Sequence, residues 1–299
     1  MVNSGTHERD GRGGVSAQTR LLAVLGDPVR HSLSPTFQNA ALRSLGLDFI
    51  YVAFRVRAND LARALDGLAV LGARGVNLTV PLKEAAKELV GWRSPEVASC
   101  GAVNTIVFDV DGRRGYNTDL AALCATLEQR LAIPVGGMPA PRILVLGAGG
   151  AGRAAAAALA DRGCQVGLAA RRPSQAEAAV HELLGIRAGR QVEAVGWRAE
   201  ETAARGPWEA VVNATPVGLP GVQGELPVSE RLLAAARGVL DTTYRQDGTD
   251  SALLATARRL GVAAVDGRYM LVAQGAAAFQ LFTGRAAPVA EMLQAVGLR

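Results

Sequence analysis

The stretch Ile143-Leu144-Val145-Leu146-Gly147-Ala148-Gly149-Gly150-Ala151-Gly152-Arg153 decides the fold of this chain. An apolar run of strand type ends in G-x-G-x-x-G and passes into the alanine run 154–158, a good helix former. In that order the first glycine turns the chain and the second lets a pyrophosphate approach bare backbone. The third lets helix and strand pack closely, so that the free N–H groups of the helix N-terminus face the phosphates. With 35 glycines in the chain the pattern alone says little; the strand–turn–helix setting makes it a dinucleotide site. The expectation is that Gly147, Ala148, Gly149, Gly150 and Ala151 line it.

The next strand says which dinucleotide. In this architecture an acid at its end grips a ribose 2′-OH, whereas arginine accepts a 2′-phosphate. The segment Gln165-Val166-Gly167-Leu168-Ala169-Ala170-Arg171-Arg172-Pro173 carries no acid, and two guanidinium forks stand where the 2′ substituent would lie. The expected cofactor is therefore NADP rather than NAD. Further strands are expected at Ala210–Asn213, Gly238–Asp241 and Val262–Val265, completing a doubly wound parallel sheet.

About 140 residues precede the glycine loop, enough for a second domain. There Leu21–Leu25, Phe49–Phe54, Val76–Val80 and Ala102–Phe108 read as strands. Pro35–Leu45, Asn59–Leu71 and Leu82–Val90 have helical composition, and Asp111–Gly115 reads as a hairpin turn. Such alternation implies a second, mostly parallel α/β sheet. Met270–Thr283 and Val289–Val296 read as terminal helices. The expected division is a polar, disordered tail over 1–20, a substrate domain over 21–118 plus 269–299, and a Rossmann-type NADP domain over 119–268. A cleft would separate the two domains.

Composition narrows the partners. Hydrophobic residues make up 49% of the 299, as in an ordinary soluble protein. The net charge of +5 comes almost wholly from arginine, since Lys83 and Lys87 are the only lysines. No basic block is interleaved with aromatics, which speaks against nucleic-acid binding. The longest uncharged apolar stretch, Tyr269 to Gly284, is too short for a membrane span, and the first twenty residues lack the apolar core of a secretory signal. Cys100, Cys124 and Cys164 are scattered without metal-ligand spacing, so no metal is expected and a cytoplasmic location is. A homodimer is the expected form if the chain assembles.

Three polar clusters mark the ends of the first-half strands. Gly26–Pro35 offers Ser32 and Ser34, whose hydroxyls suit a carboxylate, although Ser34 followed by Pro35 equally reads as a helix N-cap. Asn77-Leu78-Thr79-Val80-Pro81-Leu82-Lys83 puts Asn77 and Thr79 on one strand face, with Lys83 on the first turn of the following helix. The third cluster holds Asn104, Thr105 and Tyr116-Asn117-Thr118-Asp119, where Asp119 also reads as a helix cap.

Taken together these motifs resemble the shikimate/quinate dehydrogenase family, over nearly the whole chain. Gly26-x-Pro28-x-x-His31-Ser32-x-Ser34-Pro35 is followed by Asn77–Lys83, Gly101–Thr105 and Asn117–Asp119. After the glycine loop come Asn213-Ala214-Thr215-Pro216-x-Gly218, Asp241-x-x-Tyr244 and Gly267-x-x-Met270-Leu271-x-x-Gln274. The resemblance implies NADP-linked, reversible reduction of 3-dehydroshikimate to shikimate, on the way to the aromatic amino acids. It implies that Ser32 and Ser34 bind the substrate carboxylate, and that Asn77, Thr79, Asn104, Asp119, Tyr244 and Gln274 contact the carboxylate or ring hydroxyls. Lys83 and Asp119 would be the catalytic pair, and Arg171, Thr215 and Gly267 would join the glycine loop around NADP, with Arg172 beside Arg171. Two positions depart from the family pattern: Gln38 replaces a histidine, and Ala170 replaces the asparagine before the phosphate-binding arginine.

The expected chemistry follows from residue type. Hydride arrival builds negative charge on a ketone oxygen, and lysine can meet it with a proton where arginine cannot. Lys83 survives in a chain otherwise written with arginine, which singles it out. A quinate or dual quinate/shikimate dehydrogenase is the nearest rival reading, and a non-catalytic NADP-binding protein is a more distant one.

Overall fold

The computed structural model describes residues 14–219, 221, 222, 224–245 and 247–298. Two six-stranded sheets organise them. The first half contributes β1 (Arg20–Gly26), α1 (Ser34–Ser44), β2 (Phe49–Arg55), α2 (Leu61–Val70), β3 (Gly75–Leu78), β4 (Trp92–Arg93), α3 (Pro95–Cys100), β5 (Thr105–Asp109) and β6 (Gly112–Tyr116). After α4 (Asp119–Leu131) come β7 (Arg142–Leu146), α5 (Gly150–Asp161), β8 (Gln165–Ala169), α6 (Pro173–Ile186), β9 (Val192–Val195) and α7 (Ala199–Ala204). The chain then runs through β10 (Ala210–Asn213), α8 (Glu230–Ala235), β11 (Gly238–Asp241), α9 (Ala252–Arg259), β12 (Ala263–Asp266), α10 (Gly267–Thr283) and α11 (Val289–Ala295).

The second sheet has the order β12-β11-β10-β7-β8-β9, with every pair parallel. That is the doubly wound order whose switch point lies between its first and fourth strands, here β7 and β10. The glycine loop leaves β7 at that point, next to the loop carrying Thr215. The first and third glycines answer to the fold itself. Gly147 has φ +106°, and a methyl group there would meet the Ala214 carbonyl at 3.1 Å; one on Gly152 would sit 1.7 Å from the Gly147 carbonyl. Behind them Ala154–Ala158 are all buried, because small side chains let α5 lie against the sheet and against α4 at once.

The first sheet runs β2-β1-β3-β5-β6-β4. Pairs β1·β2, β1·β3 and β4·β6 are parallel, while β3·β5 and the hairpin β5·β6 are antiparallel. The turn sits at Val110-Asp111, one residue earlier than the sequence predicts, so Arg113–Gly115 belong to the strand. At 17 residues, about 25 Å, α10 is long enough to link the two sheets. It starts at the end of β12, and Phe282 near its other end fills the space that a side chain on Gly75 of β3 would occupy. Phe279 and Phe282 of α10 share one buried cluster with Phe37 and Leu42 of α1 and Met292 of α11.

Several local expectations change. Residues 82–90 form no α-helix: Ala85–Leu89 is a 3₁₀ turn. The physical reason is that the Lys83 carbonyl accepts from the N–H of Val103 at 2.8 Å, which takes it out of any helical ladder. Lys83 is therefore on the turn ahead of that segment. The strand β3 ends at Leu78, which leaves Thr79 one residue beyond it. Of the expected tail, residues 1–13 lie outside the described residues. Ser16–Thr19 form a turn pinned by the Thr19 hydroxyl to Asp48 at 2.7 Å, and Arg20 already opens β1. The short strands β4 and β9 have no counterpart in the sequence reading.

Candidate active site

The turn that holds Lys83 and the first residue of α4 meet: Lys83 Nζ donates to Asp119 Oδ2 at 2.7 Å. Their side chains are 31% and 17% exposed, so the pair is reachable from solvent while partly shielded. Asp119 is available for this because it does not cap its helix. The Asn117 carboxamide oxygen instead accepts from the Asp119 N–H at 3.0 Å, and the Asn117 amide is anchored on the Ala102 carbonyl at 2.9 Å. Cys100 lies beside the same corner, taking a contact from Asn117 at 3.2 Å; burial pushes its thiol up to about 11. It is protonated at neutral pH.

Beside the pair lies a chain of polar side chains that satisfy one another in the interior. Tyr51 of β2 donates through its hydroxyl to Asn77 Oδ1 at 2.7 Å, and Asn77 Nδ2 donates to Thr105 Oγ1 at 2.9 Å. Thr105 donates to Asn104 Oδ1 at 2.9 Å, and Asn104 Nδ2 donates to Thr118 Oγ1 at 2.9 Å and to Gln274 Oε1 at 3.4 Å. At the other end Ser34 hydrogen-bonds the Tyr51 hydroxyl. Burial holds the Tyr51 hydroxyl far above the ordinary range for tyrosine, and the Ser34 bond works against that shift. Ser34 is thus not the N-cap; the helix starts on it after Leu33, and Ser32 Oγ accepts from its N–H at 3.2 Å. Buried polar groups of this kind fix one arrangement, since any broken link leaves a neighbour unpaired.

Tyr244, on the loop after β11, is half-buried against the backbone of Leu33, which lies between the two serines. Burial raises its hydroxyl, and the hydrogen bond with Leu33 offsets part of that. That loop is held from below by Asp241, fully buried, which accepts from Ser251 Oγ at 2.7 Å, Thr243 Oγ1 at 2.8 Å and Asn213 Nδ2 at 3.0 Å. Asn213 Oδ1 in turn accepts from the Thr215 hydroxyl at 2.7 Å, so the loops after β10 and β11 are braced on one carboxylate.

Sequence reasoning missed Tyr51, Thr105 and Thr118 as members of this set. Thr105 and Thr118 stood inside its motifs; Tyr51 sat in the expected strand Phe49–Phe54 with no polar motif around it. Thr79 has no side-chain hydrogen bond among the described residues, and its methyl group packs against Gly26. Gln38, at a position that departs from the family pattern, is fully buried and ties α1 to α10 by donating to the Gly275 carbonyl at 2.9 Å.

The glycine loop fits a dinucleotide by a direct criterion. Gly149 has an extended backbone, and a methyl group there would meet nothing within 4 Å, so the fold does not itself demand glycine. Bare backbone with open space above it at a helix N-terminus is what close approach of a phosphate requires. Gly150 and Ala151 are exposed beside it and Ala148 is buried beneath. Arg171 is exposed past the end of β8 with no side-chain partner among the described residues, while Arg172 donates to Gln175 at 3.2 Å. Gly267 has a packing reason of its own, as a methyl group there would be 2.3 Å from the Thr242 carbonyl. No group of three or more His, Cys, Asp or Glu side chains among the described residues is arranged to hold a metal ion.

Comparison with known proteins converges on one family. Residues 24–106 match the family described as "Shikimate dehydrogenase substrate binding domain", and residues 267–296 match "Shikimate 5'-dehydrogenase C-terminal domain". The chain is 44% identical over 284 residues to a shikimate dehydrogenase (NADP(+)) of Moorella thermoacetica, covering 93% of this chain and 92% of that one. Among solved structures, shikimate dehydrogenase from Aquifex aeolicus superposes with TM-score 0.83 at 34% identity, covering 95% of this chain and 99% of the other. The Thermus thermophilus enzyme in complex with NADP(H) and shikimate superposes with TM-score 0.79 at 37% identity, over 93% and 98%.

Proposed function

The chain belongs to the shikimate dehydrogenase family, and from that premise we propose that it catalyses the reversible, NADP-dependent reduction of 3-dehydroshikimate to shikimate, with Lys83 and Asp119 as its catalytic pair. The observation that carries the reading is the 2.7 Å Lys83–Asp119 bond beside a buried hydrogen-bonded polar chain. NADPH, when bound, supplies the hydride. Lys83 Nζ gives a proton to the oxygen on which negative charge builds, and takes it back in the oxidative direction. Asp119 holds the ammonium in place and accepts a hydrogen bond from a ring hydroxyl. Ser32, Ser34, Asn77, Thr79, Asn104, Tyr244 and Gln274 bind the carboxylate and hydroxyls. The network supports these roles because its amides are already oriented, so little ordering remains to be done on binding.

The residues 147–151, Arg171, Arg172, Thr215 and Gly267 would hold the nucleotide, with Arg171 on the 2′-phosphate. We assign residues 21–118 and 269–299 to the substrate domain and 119–268 to the nucleotide domain. Among the described residues no helix is long and apolar enough to cross a membrane; we place the protein in the cytoplasm, supported by three free thiols, and expect a homodimer, which sedimentation would check. The deciding assay follows nicotinamide absorbance with shikimate or quinate, each against NADP or NAD. Shikimate with NADP should give the highest kcat/KM; preference for quinate with NAD, or no turnover, would overturn the reading.

A further inference from the structure

Glu84 follows Lys83 on the same turn, and its carboxylate reaches the nucleotide ledge. Arg153 Nη2 donates to Glu84 Oε1, and a methyl group on Gly150 would lie 2.9 Å from that same oxygen. Gly150 is the first residue of α5, where unpaired backbone N–H groups and the helix dipole favour an anion. Packing does not require the carboxylate there: the Glu84 side chain is 56% exposed, and Arg153 has a second acid, Glu182, at 3.8 Å.

We propose that Glu84 is a positioning residue that competes with the dinucleotide pyrophosphate for this ledge, an internal anion held by Arg153 that must leave Gly150 when NADP binds. The inference rests on the proposed placement of NADP on residues 147–151. Two anions cannot share the helix terminus without strong repulsion. Lys83 is the adjacent residue and is bonded to Asp119, so the ledge and the Lys83–Asp119 pair share one short segment.

Calorimetric titration of the whole protein with NADP tests this without turnover. Glu84→Gln should bind NADP about three- to tenfold more tightly, with a steeper loss of affinity as salt rises, because salt no longer relieves a repulsion or loosens the pair with Arg153. Arg153→Met should bind it more weakly, since the carboxylate is then uncompensated, and the double variant should return to the affinity of Glu84→Gln. A residue that merely supports the fold would not tighten binding when altered. Unchanged or weakened binding by Glu84→Gln overturns the proposal. Gly149→Ala separates the two layers of the argument: its methyl group enters open space, so the fold should stand while NADP binding falls. If Gly149→Ala binds normally, the placement of the nucleotide is wrong; if it binds poorly and Glu84→Gln is unchanged, only the role of Glu84 fails.

Discussion

The two sides of the site are built on opposite principles. On the first sheet, the proposed recognition groups are side chains wired to one another: Ser34, Tyr51, Asn77, Thr105, Asn104, Thr118 and Gln274 form one buried chain. On the second sheet, the ledge is exposed backbone, Gly149 and Gly150, flanked by Arg171, which has no side-chain partner among the described residues. A ring bearing several hydroxyls is distinguished by direction, so its partners must be fixed in advance, and side-chain networks do that. A pyrophosphate is a compact anion that asks for close approach and positive potential, which backbone N–H groups provide without any side chain. The difference predicts that damage on the first side spreads through the network, while damage on the second stays local.

The largest effect is expected where the two sides meet. Lys83→Arg keeps a cation beside Asp119 but removes a proton that can be released near neutrality. It should lower kcat by roughly 10² to 10⁴ with a modest change in KM. A variant within a few-fold of the wild-type rate would show that Lys83 does not move the proton.

Next comes the ledge. Arg171→Glu would replace the proposed charge-assisted bond to the 2′-phosphate with repulsion, and should weaken NADP about ten- to a hundredfold. NAD affinity and thermal stability should barely move, because the exposed side chain has no hydrogen-bond or ion-pair partner among the described residues. An equal loss for both nucleotides would mean that Arg171 does not read the 2′ position.

A cut in the wired side should behave differently. Asn104→Ala leaves the Thr118 N–H, which it accepts at 2.8 Å, and the Thr105 hydroxyl without their partner. A buried group left unpaired costs about 1–3 kcal/mol, so the midpoint of denaturant unfolding should drop along with shikimate affinity. A loss of affinity at unchanged stability would contradict the idea of a shared network.

This contrast also explains what the sequence made legible. The glycine loop could be read because Gly147 and Gly152 answer local backbone demands while Gly149 leaves bare backbone open to an anion, and Lys83 because it stands out in an arginine-rich chain. The doubly wound sheet followed from β-branched and leucine runs such as Ile143–Leu146 and Ala210–Asn213, buried on both faces. Tyr51 was invisible as a polar residue because its ring packs in the core and only its hydroxyl joins the network. The bond between Glu84 and Arg153 joins residues 69 positions apart, and no periodicity encodes that. The 3₁₀ turn at Ala85–Leu89 was misread because composition cannot show that the Lys83 carbonyl is already taken by Val103.

The smallest effect concerns the brace of the loops after β10 and β11, where Asp241 takes bonds from Ser251, Thr243 and Asn213. Burial raises its carboxyl above the ordinary 3.8, and those bonds pull it back only in part. A carboxyl that holds its proton more tightly in the folded chain than in the unfolded one makes the folded state bind more protons between the two values. Stability should therefore decline as pH rises from below 3.8 through the raised value, and stay lower above it. Asp241→Asn keeps the three bonds made at Oδ1, from Asn213 Nδ2 and from the Thr243 hydroxyl and N–H, and can reverse the one with Ser251 by donating to its hydroxyl. At neutral pH its stability should stay within about 1 kcal/mol of the parent, while this part of the decline disappears. Urea unfolding at a series of pH values measures both quantities. An unaltered slope would mean that the charge on Asp241 is fully accommodated, and a loss of several kcal/mol would mean that the brace needs the carboxylate itself.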